Sequence, residues 1–113
     1  MQPEFLRIED VLRIHQDQIE HYGGSPDLRD SELLASAVET PRASFGGRFL
    51  HGDLFEMAAA YLFHLVQNHP FVDGNKRTGT AAAFVFLDFN GITIEVDDDA
   101  LVEHVMGVAQ GLI

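Results

Sequence analysis

Two long apolar segments joined by a short break constrain the fold of this chain more than any other feature. Residues 54–68 are apolar on almost every side, and a second helical pattern starts near Asn75 and closes at Asn90-Gly91. His69-Pro70 separates the two, because the residue before a proline is pushed out of the helical region and proline has no N–H to donate. A helix that is apolar all round lies inside a fold. The pattern therefore predicts two buried helices that flank one short loop.

Shorter patterns around this pair complete a mostly helical picture. Apolar residues at helical spacing predict an amphipathic helix over 11–22, and Asp30 or Ser31 caps a short helix through Glu39. Residues 42–52 contain paired glycines and no helical period, which predicts a loop or small hairpin that forms a mobile flap. A weak strand over 92–96 and a last helix over 100–110 follow. We therefore predict one all-α domain, residues 1–113, with a small β-hairpin.

The charge balance narrows the class of partner. The 113 residues include 18 acidic and 7 basic side chains, and the resulting charge of −11 repels a polyphosphate backbone. No apolar stretch reaches the roughly 20 residues of a membrane span, and the first residues lack the basic and apolar regions of a signal peptide. Cysteine is absent, which is compatible with the cytosol. We expect a cytoplasmic protein that binds neither nucleic acid nor a membrane.

The start of the second apolar helix carries the features of an anion site. A loop that leads into a helix N-terminus exposes backbone N–H groups and the positive end of the helix dipole. Gly74 lets this backbone approach a ligand closely, and the side-chain amide of Asn75 supports the turn. Lys76, the only lysine of the chain, and Arg77 are unfavourable at this end of a helix unless a bound anion reverses the penalty. This conflict indicates a phosphate site.

Two residues of the preceding loop suit chemistry on a phosphate. The imidazole of His69 can accept a proton from an incoming hydroxyl at neutral pH. Asp73 can hold a magnesium ion that bridges phosphate oxygens. Each residue by itself also has an ordinary structural explanation, as a histidine beside a proline and as an Asp-Gly turn. Their joint spacing with the cations favours an active site.

At these residues the sequence resembles the Fic/Doc family, and within it the Doc (death-on-curing) toxin branch. The family motif H-P-F-x-x-G-N-K-R matches from His69 to Arg77 without a gap. The order of helices and the glycine-rich flap also look Doc-like, so the likeness implies a Fic/Doc-like helical bundle. It implies one role for each motif residue: His69 as catalytic base, Phe71 as core anchor, Asp73 as magnesium ligand, Gly74 and Asn75 as the backbone that cradles phosphate, and Lys76 and Arg77 as the cations that hold the nucleotide.

Two positions depart from G-N-G-R-x-x-R, the pattern of the AMP-transferring Fic proteins. Lys76 replaces its second glycine, and Thr80 replaces its second arginine. In Doc-like members this difference goes with an inverted nucleotide, which implies transfer of the γ-phosphate of ATP to a protein hydroxyl. Two alternatives stay open. One is transfer of AMP to a different protein, and the other is a catalytically inactive module that binds only an anion or an antitoxin.

The resemblance also implies partners. The known target of Doc proteins is translation elongation factor Tu, so the resemblance implies growth arrest through halted protein synthesis. The flap is expected to dock the target by strand addition, and it comprises Phe45, Gly46, Gly47, Arg48, Phe49, Leu50 and His51. The family's inhibitory S/T-x-x-x-E-G/N helix does not occur in the sequence, which suggests a separate Phd-like antitoxin. The oligomeric state is left open, with a homodimer among the alternatives.

Overall fold

Four α-helices and one small hairpin make up the part of the chain that the computed structural model describes, residues 2–93. The helices are α1 (Ile8–Tyr22), α2 (Ser31–Glu39), α3 (Leu54–Asn68) and α4 (Asn75–Phe89). A single 3-10 turn, Thr40–Arg42, follows α2. The predicted all-α class is confirmed. The predicted helix over 100–110 and most of the predicted strand over 92–96 lie outside the described residues.

The first helix begins three residues earlier than its apolar pattern predicts. Its first turn is polar, with Glu9 and Asp10 near the positive end of the helix dipole. The backbone N–H of Arg7 donates to the Asp10 carboxylate at 2.8 Å, which satisfies a donor that the helix start leaves unpaired. A capping interaction of this kind leaves no trace in hydrophobic periodicity. The prediction therefore found the helix but missed its first turn.

The pair α3 and α4 forms the centre of the fold, as predicted. Seven residues of α3 are buried, and seven of α4. Gly79 allows the two helices to approach closely, because a Cβ at this position would lie 3.0 Å from a Leu62 methyl and 3.2 Å from the Leu62 carbonyl oxygen. A larger residue at position 79 would require Leu62 or the helix backbone to shift. Close packing at Gly79 therefore fixes the distance between α3 and α4, the two helices that the loop joins.

Helices α1 and α2 cover this pair through narrow apolar faces. The buried residues of α1 are Val11, His15 and Ile19, one per helical turn, whereas Leu12 and Tyr22 of the same helix are exposed. Of α2, residues Leu34, Ala37 and Val38 are buried. The Asp30 carboxylate caps α2 by accepting from the Leu33 N–H at 3.0 Å, as predicted. No described helix is long and apolar enough to cross a membrane.

A buried hydrogen bond ties the N-terminal segment to the core. The hydroxyl of Tyr61 on α3 accepts from the Leu6 N–H at 2.9 Å. Burial raises the pKa of Tyr61 from 10.0 to about 12. Both residues are fully buried. This bond satisfies two polar groups that would otherwise be costly to bury.

The predicted hairpin is confirmed between α2 and α3. Strand β1 (Ser44–Phe45) pairs antiparallel with β2 (Arg48–Phe49), with Ser44 opposite Phe49. Gly46 and Gly47 form the two-residue turn with φ values of 60° and 80°. Positive φ at both positions is the geometry that matches strand twist in a tight hairpin, and glycine adopts it without strain.

Candidate active site

The loop between α3 and α4 begins at a strained residue. His69, directly after α3, has φ 50° and ψ 54°, in the left-handed region. It is the one non-glycine residue with positive φ among residues 2–93. This conformation costs a residue other than glycine roughly 1–2 kcal/mol. The helix cannot continue, because Pro70 follows. His69 is exposed, so its imidazole is open to an incoming group.

The segment that precedes α2 holds the loop backbone. An isolated antiparallel bridge joins Leu28 to Phe71. Two backbone hydrogen bonds form this bridge, Arg29 N to Pro70 O at 2.7 Å and Val72 N to Asp27 O at 3.0 Å, and Asp30 N also donates to Pro70 O at 3.0 Å. A short loop thus gains the pairing of a β-ladder. Its backbone conformation is fixed without any ligand.

Phe71 and Asn75 lock the loop from within. Phe71 is buried in the core. The Phe71 N–H donates to Asn75 Oδ1 at 3.0 Å, and Asn75 Nδ2 donates back to the Phe71 carbonyl at 2.9 Å. Asn75 is itself buried. Both ends of its amide therefore bond to the turn, and its backbone N–H is left to meet a phosphate.

Asp73 is exposed and is held at two points by the region of α1. Its Oδ2 atom accepts from the Ser25 N–H at 2.8 Å. Its carbonyl oxygen accepts from His15 Nε2 at 2.8 Å. Gly24 permits this approach, because a Cβ at that position would lie 3.1 Å from the Asp73 Cβ. The carboxylate therefore has a defined direction, with its second oxygen left for another ligand.

The sequence did not assign a role to His15, yet this residue supports the loop directly. Its ring lies parallel to Phe71, with centroids 3.7 Å apart and an interplanar angle of 5°. Only 3% of its surface is exposed. Its position on the apolar face of α1 predicts burial, but nothing in the sequence indicates which loop it contacts. Ring stacking and the bond to Asp73 make His15 part of the loop's frame.

The start of α4 differs electrostatically from the start of the other three described helices. Each of α1, α2 and α3 has an acidic residue in its first turn. Helix α4 has none, no side-chain bond caps it, and Gly74 with φ 79° precedes it. Lys76 and Arg77 stand in this turn instead. An uncapped helix start with two cations has the charge and the unpaired N–H groups of an anion site.

The side chains of Lys76 and Arg77 have different surroundings. Lys76 is exposed, whereas Arg77 is half-buried. Arg77 donates to the Gly23 carbonyl at 3.2 Å, and its guanidinium lies 5.4 Å from the centre of the Tyr22 ring. Arg77 and Asp73 thus both contact the turn 23–25 after α1. Their side chains converge on one region of the molecule, although they lie on opposite sides of Gly74 in sequence.

A magnesium ion would have a single protein carboxylate here. Among residues 2–93, no three or more His, Cys, Asp or Glu side chains cluster in a way that could hold a metal. Magnesium usually binds one or two carboxylates and completes its shell with phosphate oxygens and water. Asp73, with one oxygen engaged by Ser25 and the other available, fits this mode of binding. A metal site made only of protein ligands does not fit.

The flap is separate from the loop in its contacts. No hydrogen bond within the described part of the chain joins residues 44–51 to residues 69–77. Phe45 at the hairpin is 84% exposed and Leu50 65% exposed. Phe49 faces inward, with its ring 5.4 Å from that of Phe5. The hairpin therefore presents a backbone edge and two apolar side chains to solvent.

Comparison with known proteins identifies the family of the chain. The model of the family described as Fic/DOC matches residues 5–87, which include the flap, the loop and nearly all of α4. The chain belongs to the Fic/DOC family. "Toxin Doc" of Mycolicibacterium smegmatis is 43% identical over 96 residues, covering 85% of this chain and 72% of that protein. "Protein kinase doc" of Escherichia phage P1 is 32% identical over 105 residues, covering 93% and 82%.

These relatives place the chain in the Doc toxin branch of the Fic/DOC family, as the motif predicted. The helical fold with its small hairpin agrees with the same assignment. The match covers 72% of the mycobacterial relative and 82% of the phage relative.

Proposed function

We propose that this Doc-branch protein is a toxin that transfers the γ-phosphoryl group of ATP to a hydroxyl of a target protein. The observation that carries the proposal is the start of α4, which is uncapped and bears Lys76 and Arg77 where the other described helices bear acids. This anion site directly follows a loop with an exposed histidine. A site for phosphate, a general base and a carboxylate that holds the metal ion are features of sites that transfer phosphoryl groups.

His69 acts as the general base in this proposal. Its imidazole takes the proton of the target hydroxyl while the hydroxyl oxygen forms a bond to the γ-phosphorus. The bond from that phosphorus to the oxygen bridging the β- and γ-phosphates breaks, and ADP leaves. The exposed position of His69 at the end of α3 supports this role, because a protein substrate has to reach the base.

The backbone N–H groups of Gly74 and Asn75, with Lys76 and Arg77, hold the phosphates of ATP. Asp73 would hold Mg²⁺ through its unengaged oxygen, and the ion would offset phosphate charge there. Arg77 is already oriented by Tyr22 and Gly23, so less side-chain freedom is lost when it meets a phosphate.

Two residues favour delivery of the γ-phosphate over delivery of AMP. Thr80 stands where AMP-transferring relatives have an arginine, and its hydroxyl donates to the Lys76 carbonyl at 2.9 Å. It therefore offers no cation to the far end of a triphosphate. Lys76 adds an exposed cation where the other pattern has only glycine backbone. The phage P1 relative is named a protein kinase, which is consistent with this choice.

The proposed target is translation elongation factor Tu, which would arrest translation and place the toxin in the cytoplasm. The target segment would pair with the hairpin edge at residues 44–49, next to the exposed Phe45. A Phd-like antitoxin would restrain the enzyme, in keeping with the name of the mycobacterial relative. We assign the entire chain, residues 1–113, to one Doc domain. The mass of the protein in solution, alone and with the antitoxin, tests for a homodimer.

The direct test uses ATP labelled in one of two positions. Incubation with Mg²⁺ and elongation factor Tu should move label from the γ-phosphate of ATP to the factor, and label on the α-phosphate should stay in solution. Transfer of α-label alone would replace the proposal with AMP transfer. Absence of any transfer by a protein that still arrests growth would indicate a different target.

Lys76→Gly sharpens the choice between the two reactions. If the lysine side chain excludes the other orientation of the nucleotide, this variant gains transfer of AMP and loses transfer of phosphate. Thr80→Arg is the matched second change, because it restores the cation that AMP transfer uses. A double variant that gains no AMP transfer would show that these two positions do not decide the orientation.

A further inference from the structure

Arg29 grips the end of α3 at the residue proposed as the base. Its Nε atom donates to the His69 carbonyl oxygen at 2.6 Å, and its Nη2 atom donates to the Asn68 carbonyl oxygen at 2.9 Å. Its own backbone N–H donates to the Pro70 carbonyl at 2.7 Å. One residue thus binds three successive carbonyl oxygens. The guanidinium also lies at the negative end of the α3 dipole, where a cation is favoured.

These bonds fix the conformation of His69 for a geometric reason. The Asn68 carbonyl belongs to the peptide plane before the His69 Cα, and the His69 carbonyl belongs to the plane after it. Holding both oxygens sets φ and ψ of His69, and the direction of its Cα–Cβ bond follows. Pro70 has no N–H, so the second plane cannot be held by a donor of its own. This peptide plane can instead be held by a donor that bonds to its carbonyl oxygen.

The left-handed conformation of His69 needs such a restraint. The residue before a proline favours an extended backbone, and a left-handed histidine is disfavoured. If the restraint were released, the extended conformation would turn the side chain in another direction. The rigid fork of a guanidinium suits two neighbouring oxygens better than the single ammonium of lysine does.

We infer that Arg29 is a positioning residue for His69, which it holds in the left-handed conformation needed to present the imidazole to the target hydroxyl. The inference rests on the proposed role of His69 as base. Arg29 is exposed, so its removal leaves no cavity in the core. Asp30, its neighbour, caps α2 independently and keeps the segment in place. The effect of Arg29 should therefore appear in catalysis rather than in folding.

The test compares Arg29→Ala and Arg29→Lys with Arg13→Ala, an exposed arginine of α1. We expect kcat of Arg29→Ala to fall by about ten- to hundredfold, the size of a small misplacement of a catalytic group, with KM for ATP nearly unchanged. Arg29→Lys should recover part of this loss, since it restores a cation with a single point of contact. Arg13→Ala should match the wild type. An unchanged kcat in Arg29→Ala would overturn the inference.

A second readout does not depend on the reaction. The ¹³Cα and ¹³Cβ chemical shifts of His69 report its backbone conformation, and they should leave left-handed values in Arg29→Ala and stay there in Arg13→Ala. Unchanged shifts would overturn the inference even if kcat fell. If the wild type transfers no phosphate at all, the proposed function fails, whereas a shift of the His69 signals would still establish that Arg29 sets this conformation.

Discussion

The active-site loop and the flap have similar lengths but opposite kinds of support. The loop, residues 69–74, is held by backbone pairing to residues 27–30, by the Asn75 amide and by His15. The flap has two paired residues per strand and a glycine turn, and Phe45 is almost fully exposed. Chemistry requires groups that are already oriented, whereas strand addition requires an edge that is still unpaired. The difference predicts distinct consequences for substitutions in the two regions.

The largest effect is expected at His69. His69→Ala removes the proposed base and should lower the rate of phosphate transfer by about 10² to 10⁴. The side chain is exposed, so the melting temperature should change little. Initial rates with labelled ATP measure the loss, and His21→Ala, an exposed histidine of α1, is the control. A variant that keeps its rate would show that His69 is not the base. An unchanged effect on growth, with no phosphate transfer by either protein, would indicate an inactive binding module.

Arg77→Ala should have the second largest effect, on both binding and turnover. The change removes a charge-assisted contact that exists before and during the reaction, so kcat/KM should fall about ten- to hundredfold. Calorimetry with a non-hydrolysable ATP analogue measures the binding part. Equal affinity of wild type and variant for the analogue would mean that Arg77 serves only the turn at Tyr22 and Gly23.

Two substitutions at His15 separate the ring from the hydrogen bond within the loop's frame. His15→Phe keeps an aromatic ring against Phe71 but removes the donor to the part-buried Asp73 carbonyl, which should cost about 0.5–1.5 kcal/mol of unfolding free energy. His15→Gln keeps a donor at similar reach and loses the stack. Urea unfolding measures both. Because Asp73 would hold the metal, we expect His15→Phe to require more Mg²⁺ for half-maximal activity than His15→Gln. If His15→Gln required more Mg²⁺ than His15→Phe, stacking of His15 on Phe71 would be the more important contact.

Phe45→Ser tests the flap, where stability should not depend on the side chain. Phe45 is 84% exposed, so the free energy of unfolding should stay within about 0.5 kcal/mol of the wild type. KM for the target protein should rise, and KM for ATP should not. A rise in both constants would show that the flap contributes to the nucleotide site, which would remove the contrast between the two regions.

The smallest effect on stability is expected at His64 on α3, whose pKa depends in part on His51 of the flap. Burial lowers the pKa of His64 below 6.5, and the neighbouring His51 lowers it further. As the pH falls through 6.5, the unfolded chain takes up a proton at this position and the folded chain does not. Stability is therefore present above this pH and declines below it. His64→Gln should lose less stability than the wild type on acidification.

His21 provides the opposite control for that experiment. A hydrogen bond from its ring to the Asp17 carbonyl, together with the Asp17 carboxylate, raises the pKa of His21. Its contribution is present below 6.5 and is lost as the pH rises through the folded-state pKa. His21→Gln should therefore lose more stability than the wild type on acidification. Urea unfolding at neutral and mildly acidic pH compares the three proteins, and parallel curves would contradict both assignments.

The sequence predicted the fold better than it predicted the residues that support the active-site loop. Helix periodicity, the proline break and the glycine pair are local signals, and they located the four helices and the hairpin. The motif His69–Arg77 was equally visible, because its residues are contiguous. His15, Ser25 and Arg29 were missed, since each acts on the loop through contacts between residues 39 to 58 positions apart. Packing of α1 and α2 on α3 creates those contacts, and no local pattern records it.

The mass of the modified target tests the central claim most directly. Elongation factor Tu incubated with ATP, Mg²⁺ and the wild-type protein should gain one phosphate group on one hydroxyl residue, and the His69→Ala protein should leave its mass unchanged. A gain of a nucleotide, or an equal gain with the His69→Ala protein, would contradict the claim that the loop at His69 delivers the γ-phosphate.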